Sequence, residues 1–289
     1  MQTPDRHTRW IMEAPQAVED ELTDWLMEQG ATAMYREADG PCAFLAYFPP
    51  GLVPPDPSLL DRFPGVRLLR SESFDDEDWL TKSREGFGPI LVGRSFYIRP
   101  LWDKAPVPEG RRAVVVNPGL AFGTGGHETT RLCMELMEEL AEAGRLKTPI
   151  LDIGAGTGIL SLSAWMLGAR GITAFDIDPD CGPAMEDFIE LNGLALRGKR
   201  PFEHFVGTLE DPRVKGPYQG LLANILLETI QELLPRMAEA AAPGAWRVAS
   251  GILAECQDEA LVSLAVHGFR PLKVVREGDW IAILAERAG

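Results

Sequence analysis

The stretch Leu151-Asp152-Ile153-Gly154-Ala155-Gly156-Thr157-Gly158-Ile159-Leu160 decides how this chain folds. An apolar run over residues 149–153 predicts a buried strand, which breaks at Gly154, Gly156 and Gly158. Apolar residues then recur at helical spacing, as Leu160, Leu162, Ala164 and Leu167. Strand, glycine turn and helix together form the opening unit of a nucleotide-binding α/β sheet. The glycines admit backbone angles and close approaches that a side chain would block. A second strand is predicted over 171–177, ending in Asp176-Ile177-Asp178-Pro179. Asp176 follows the loop at about twenty residues, the spacing of an acid that takes ribose hydroxyls.

Downstream the pattern repeats. A helix is predicted over 181–192, a strand over 202–206, and an apolar strand over 220–224 that ends in Asn224. A helix over 228–242, a turn at Pro243-Gly244, a strand over 246–252 and a helix over 255–267 follow. Two last strands, 271–276 and 280–285, flank the tight turn Glu277-Gly278-Asp279. From residue 149, strand and helix alternate five times and two strands then join directly. Such alternation implies a mostly parallel sheet of seven strands with helices on both faces, and the final hairpin places one antiparallel strand in it.

Upstream, residues 8–14 predict a strand, and Pro15 opens a helix whose apolar stripe is Val18, Leu22, Trp25 and Leu26. Gly30 ends it. Strands over 31–36 and 42–48 flank the turn Asp39-Gly40-Pro41. A proline-rich passage over 49–57, a short apolar piece and a strand over 66–74 complete a small ferredoxin-like α+β unit. An acidic run, 75–78, leads into a helix over 79–85, closed by Gly86, Gly88 and Pro89. These signals divide the chain into domains 1–74 and 90–289, joined by a linker at 75–89. Strands over 90–102 and 113–116 precede the large α/β part.

Composition bounds the partners. The 289 residues carry a net charge of −15, which disfavours a binder of nucleic-acid phosphates and suits a basic partner. Cys42, Cys133, Cys181 and Cys256 are scattered and the four histidines dispersed, so neither a disulfide framework nor a metal site is expected. No apolar run reaches membrane-spanning length and residues 1–7 lack a signal-peptide core, so the expected location is the cytoplasm and no membrane partner is expected. The expected state is a monomer.

A second glycine-rich stretch, Asn117-Pro118-Gly119-Leu120-Ala121-Phe122-Gly123-Thr124-Gly125-Gly126-His127-Glu128-Thr129-Thr130, runs into a helix with Leu132, Leu136 and Leu140 four apart. Thr129 and Thr130 sit at that helix's N-terminus, where they can cap it or meet a ligand carboxylate. His127 reads as a base or as a packed side chain. The loop at Gly154 lacks the Gly-x-Gly-x-x-Gly spacing of a dinucleotide site, and Asp152 precedes it. An acid there suits a cationic ligand better than a pyrophosphate. S-adenosylmethionine is cationic, carries a ribose and has no phosphate. Asp152 then faces its positive end, or serves only as a cap or turn, and Asp176 takes the ribose. Asn224, at a strand's carboxyl end, can accept a hydrogen bond from a neutral amine or can simply form a turn.

These motifs, with Ala223-Asn224-Ile225-Leu226, Asp76-Glu77-Asp78-Trp79 and Glu277-Gly278-Asp279-Trp280, resemble the PrmA family, the methyltransferases of the eleventh large-subunit ribosomal protein in bacteria. The resemblance implies a Rossmann-like class I methyltransferase domain with S-adenosyl-L-methionine as donor. It implies acceptors that are lysine side chains and an N-terminal amine of that basic ribosomal protein. It also implies an N-terminal substrate-recognition domain on a mobile linker. Thr130, Gly154, Asp176 and Asn224 match cofactor-contacting positions, joined by Gly156 and Asp152 as further expected cofactor residues, while Asn224 and Phe122 fall in segments that line the transfer pocket. Transfer is then direct, without a covalent enzyme intermediate. Two other readings share the same cofactor residues: a sister enzyme acting on another protein or a small amine, and a non-catalytic cofactor-binding module that docks on ribosomal components.

Overall fold

The computed structural model describes residues 6–15, 18–36, 43–74, 88–117, 125–194 and 201–289. The expected linker helix and acidic run, the turn at Asp39-Gly40-Pro41, Cys42 and Phe122 lie outside these. The chain separates into two compact units, Met1–Phe87 and Gly88–Gly289.

In the first unit, β1 (His7–Glu13), α1 (Glu19–Glu28), β2 (Ala33–Arg36), β3 (Ala43–Phe48), a 3-10 turn (Pro57–Arg62) and β4 (Arg67–Phe74) follow in order. The sheet order is β2-β3-β1-β4 with every adjacent pair antiparallel, the arrangement of a split βαβ unit. Burial alternates along β1, so that Trp10 and Met12 turn inward against Leu22 and Leu26 of α1 and Phe44 and Phe48 of β3. The Trp10 and Phe48 rings meet edge-on at 5.2 Å. The stripe predicted from Val18, Leu22, Trp25 and Leu26 thus faces this core, although α1 starts at Glu19 rather than at Pro15.

The second unit begins with a three-stranded sheet, β5 (Ile90–Val92), β6 (Phe96–Pro100) and β7 (Arg112–Val116). The single strand expected over 90–102 is instead two, because the chain turns at 93–95. Both carboxylate oxygens of Glu138 accept from the Arg94 N–H, at 2.8 and 3.1 Å, and fasten that turn to a helix 44 residues away. Local sequence carries no sign of so distant a partner.

The main sheet contains β8 (Ile150–Ile153), β9 (Ile172–Asp176), β10 (Glu203–Val206), β11 (Tyr218–Asn224), β12 (Ala241–Leu253), β13 (Phe269–Glu277) and β14 (Trp280–Arg287). Its order is β10-β9-β8-β11-β12-β14-β13, and only β14 runs antiparallel to its neighbours. The seven-stranded sheet with an inserted hairpin strand is the one the alternation predicts.

Helices α2 (Glu128–Glu142), α3 (Ile159–Met166) and α4 (Cys181–Leu191) cover one face, packing Leu136, Leu162 and Met185 on Ile150, Ala174 and Leu222. Helices α5 (Leu227–Ala240) and α6 (Gln257–Val266) cover the other, packing Leu234 and Leu264 near Leu151, Leu221 and Ile283. The four-residue spacing of Leu132, Leu136 and Leu140 keeps all three on the buried side of α2, each contributing about 1.5–3 kcal/mol of apolar burial. Asn192, past the end of α4, accepts from the Val115 N–H at 2.8 Å and donates to its carbonyl at 2.9 Å, which ties the small sheet to this layer.

One boundary differs from expectation. The helix predicted to reach residue 242 ends at Ala240, and the turn predicted at Pro243-Gly244 is an irregularity inside β12. Tyr218 pairs with Ala241 and Gly220 with Trp246, so β12 bulges between its two contacts with β11. The partner strand, not the Pro-Gly pair, decides the local path.

Candidate functional site

The carboxyl ends of the parallel strands form one edge of the main sheet, the usual ligand edge of such folds. A cavity of about 610 Å³ opens there, lined from β9 (Asp176) through β8 (Gly154), β11 (Asn224) and β12 (Gly251) to the start of β14 (Trp280). In strand order Asp176 and Trp280 are four spacings apart, roughly 19 Å along the edge at about 4.8 Å per strand. The cavity is therefore elongated, with Asn224 near its middle.

The first end is built by the glycine loop. Gly154 and Ala155 both donate to the Phe175 carbonyl at 3.0 Å, so the turn after β8 lies across the end of β9. Gly154 has φ of +67°, and a Cβ there would strike Ile225. The Gly156 N–H donates to Asp176 Oδ2 at 2.8 Å, and the Asp178 N–H to its Oδ1 at 3.1 Å. These bonds hold the Asp176 carboxylate at the cavity wall while leaving acceptor capacity on both oxygens.

At the centre, Asn224 ends β11 and Thr130 lies in the first turn of α2. Asn224 Nδ2 donates to Thr130 Oγ1 at 3.3 Å, an amide orientation assigned from its hydrogen bonds. Thr130 is 1 % exposed, so its hydroxyl is a fixed partner. Asn224 Oδ1 accepts no bond among the described residues and is the acceptor offered to the cavity.

Thr129 and Thr130 do not cap α2. His127 does, its Nδ1 accepting from the Thr129 N–H at 3.3 Å and lying 2.9 Å from the Thr129 hydroxyl. The Nδ1 lone pair is engaged by that backbone N–H, so this nitrogen is not offered to a substrate as a base. The other side of the ring meets Trp280 edge to face at 5.1 Å, and both residues line the cavity.

Asp152 departs from the placement expected of a direct ligand contact. It is 1 % exposed and absent from the cavity wall, because its side chain turns to the helical face and accepts from Ser161 Oγ at 2.6 Å. Burial pushes its carboxyl up to about 6, partly offset by the Ser161 bond. Its Oδ1 is buried without a partner, one residue before the cavity-lining Ile153 and Gly154. An uncompensated carboxylate oxygen beneath the glycine loop favours positive charge in the space above it. The sulfonium and ammonium groups of S-adenosylmethionine fit that requirement, and the cradle of Gly154, Gly156 and Asp176 fits its ribose. Thr130, matched to the cofactor contacts by resemblance, reaches the cavity through Asn224.

The sequence reading missed several wall residues. Gly251 in β12 has φ of +81° and lets the strand pass close to Ile225; a glycine inside a strand is the signal that could have revealed it. Phe175, Ile177 and Leu226 flank motif residues and add apolar wall, Ile177 being 74 % exposed. Cys181 follows the acidic tip, but burial and the Asp176 charge push its thiol up to about 12, so it stays protonated and is no nucleophile.

Comparison with known proteins identifies relatives over most of the chain. The family model described as ribosomal protein L11 methyltransferase (PrmA) matches residues 61–288. A protein of that name from Geobacter sp. (strain M21) is 36 % identical over 220 residues, 75 % of this chain and 68 % of the relative. Its namesake from Trichlorobacter lovleyi is 38 % identical over 247 residues, covering 82 % and 73 %. A crystal structure of the ribosomal protein L11 methylase from Lactobacillus delbrueckii subsp. bulgaricus superposes with a TM-score of 0.62 at 30 % identity, over 70 % of this chain and all of the other. By the extent of these matches, the chain belongs to the ribosomal protein L11 methyltransferase family, PrmA, and is an S-adenosylmethionine-dependent methyltransferase.

Proposed function

We propose that this chain methylates amino groups, lysine side chains and the N-terminal amine, of ribosomal protein L11. The observation that carries the reading is Asn224, which lines the cavity while its Nδ2 is fastened to Thr130. The names of the relatives supply the protein substrate, and a net charge of −15 suits a basic one.

S-adenosylmethionine, when bound, supplies an electrophilic methyl group. The protein supplies placement. Asn224 Oδ1 accepts an N–H of the neutral acceptor amine and so fixes the direction of its lone pair. Asp176, Gly154 and Gly156 hold the ribose end, with Asp152 beneath them. A lysine entering as ammonium must first shed its proton, and desolvation against Ile225, Leu226 and Trp280 lowers its pKa. Orientation at near-attack distance is most of what such a reaction requires. The remaining proposals follow. The domain over 1–74 recognises the protein substrate, the chain acts as a monomer in the cytoplasm, and it does not bind nucleic acid directly. Among the described residues no helix is long and apolar enough to cross a membrane.

The test is transfer of labelled methyl groups to free ribosomal proteins by the full chain, by Asn224→Ala, and by a chain lacking residues 1–87. Label on L11 that disappears in Asn224→Ala is the expected result. Label only on another protein would move the substrate, and no label at all would overturn the reading. A truncated chain that still modifies L11 normally would assign the N-terminal unit another task.

A further inference from the structure

Four residues close a ring at the β14 end of the cavity. His127 caps α2, and Arg131 follows one turn later, its N–H donating to the His127 carbonyl at 3.2 Å. Glu277 and Trp280 pair directly across the hairpin turn between β13 and β14. His127 meets Trp280 by its ring, as above. Arg131 meets Glu277 by a two-pronged ion pair, Nη2 to Oε1 at 2.6 Å and Nε to Oε2 at 3.2 Å. The guanidinium also donates from Nη1 to the Gly126 carbonyl and lies 3.4 Å from Glu128. One side chain thus ties together the segment entering α2, the first turn of α2 and the C-terminal hairpin.

We infer that Arg131 is a positioning residue for the acceptor amine: with Glu277 it fixes the His127–Trp280 wall against which that amine is presented. The inference rests on the methyltransferase reading. An ordinary surface ion pair would stabilise little and touch no chemistry. This one differs in two respects. It is a planar fork, the geometry that restricts both partners. It also joins the elements that carry two cavity residues, His127 and Trp280, and the other charged tie between α2 and the hairpin, Lys273 to Glu139 at 2.7 Å, lies away from the tip. Its effect is confined to one end of the cavity. Asp176 and the glycine loop sit at the β9 end, several strands away, so loosening the wall disturbs the acceptor and spares the donor.

The experiment uses the full chain and the variants Arg131→Gln, Arg131→Lys, Glu277→Gln and the double Arg131→Gln/Glu277→Gln. Thermal unfolding establishes that each folds, and the half-buried Glu277→Gln serves if the arginine variants do not. Calorimetry gives the affinity for S-adenosylhomocysteine, and methyl transfer to L11 gives kcat and KM. Each single variant is expected to lose about tenfold in kcat, with KM for L11 and S-adenosylhomocysteine affinity within about twofold. Lysine is not expected to rescue, since it keeps charge but lacks the fork. The double variant should be no worse than the weaker single. Wild-type kcat in the singles, additive losses in the double, or a parallel loss of S-adenosylhomocysteine affinity would each overturn the inference. A wild type that binds S-adenosylhomocysteine but labels no L11 overturns the functional reading and this inference with it, a pattern distinct from the others.

Discussion

Asn224 Nδ2 donates to Thr130 Oγ1 across 94 positions of sequence, joining the end of β11 to the first turn of α2. The bond takes one N–H of the amide and leaves its oxygen without a partner among the described residues. Removing that oxygen in Asn224→Ala should lower kcat for methyl transfer by about a hundredfold, the scale of a lost orienting contact. S-adenosylhomocysteine affinity should change only a few-fold. Thr130→Val deletes the anchor but keeps the shape, and should cost about tenfold in kcat by freeing the amide to rotate. Steady-state kinetics beside calorimetry separates these effects; a Thr130→Val enzyme with unaltered kcat would remove the anchor from the account.

Asp176 is held by the Gly156 and Asp178 N–H groups and presents its carboxylate to the cavity. Asp176→Asn retains an acceptor for one of these bonds but loses the charge. Calorimetry should show S-adenosylhomocysteine binding weakened between about tenfold and a hundredfold, the worth of a charge-assisted hydrogen bond. Undiminished affinity would mean the ribose lies elsewhere.

Asp152 gives a pH dependence whose sign follows from its burial. An aspartate in the unfolded chain titrates near about 3.9, whereas burial holds the folded carboxyl up to about 6. Between these values the folded state binds the extra proton. Its contribution to stability is therefore full below the unfolded value, is lost as pH rises through about 6, and stays lost above. Asp152→Asn cannot ionise, so its melting temperature should fall less than the wild type's as pH is raised across this window. S-adenosylmethionine, being cationic, should protect the wild type more at neutral pH than in acid, and the variant equally at both. Parallel melting profiles for the two proteins would show that the carboxyl does not titrate there.

Gly251 has φ of +81°, and a Cβ built on it would lie 2.7 Å from the Ile225 carbonyl carbon. Both the backbone angle and the contact oppose a side chain. Gly251→Ala should cost about 2 kcal/mol and lower Tm by roughly 4–8 °C. Because Ile225 follows Asn224, transfer should fall as well. An alanine variant as stable as the wild type would show that β12 can move away at this point.

Much of this was written in local sequence. The alternation of strands and helices from residue 149, the glycine turn and the acidic tip of β9 follow from periodicity and backbone freedom, which act over a few residues. So do the inward faces of α1 and α2. These set the layers of the sheet and the end of the cavity at Asp176. Only the tertiary structure decided what depends on distant partners. Glu138 split the expected strand into β5 and β6. Pairing with β11 drew Pro243 and Gly244 into β12. His127 took the helix cap that the neighbouring threonines were equally suited to fill. Asp152 turned toward Ser161, while Trp280 and Gly251 came to the cavity from more than ninety residues beyond the Gly154 loop. The physical reason is range: propensity and spacing act within a turn or a strand, while a site at a sheet edge is assembled by pairing and packing between strands that are far apart in the chain.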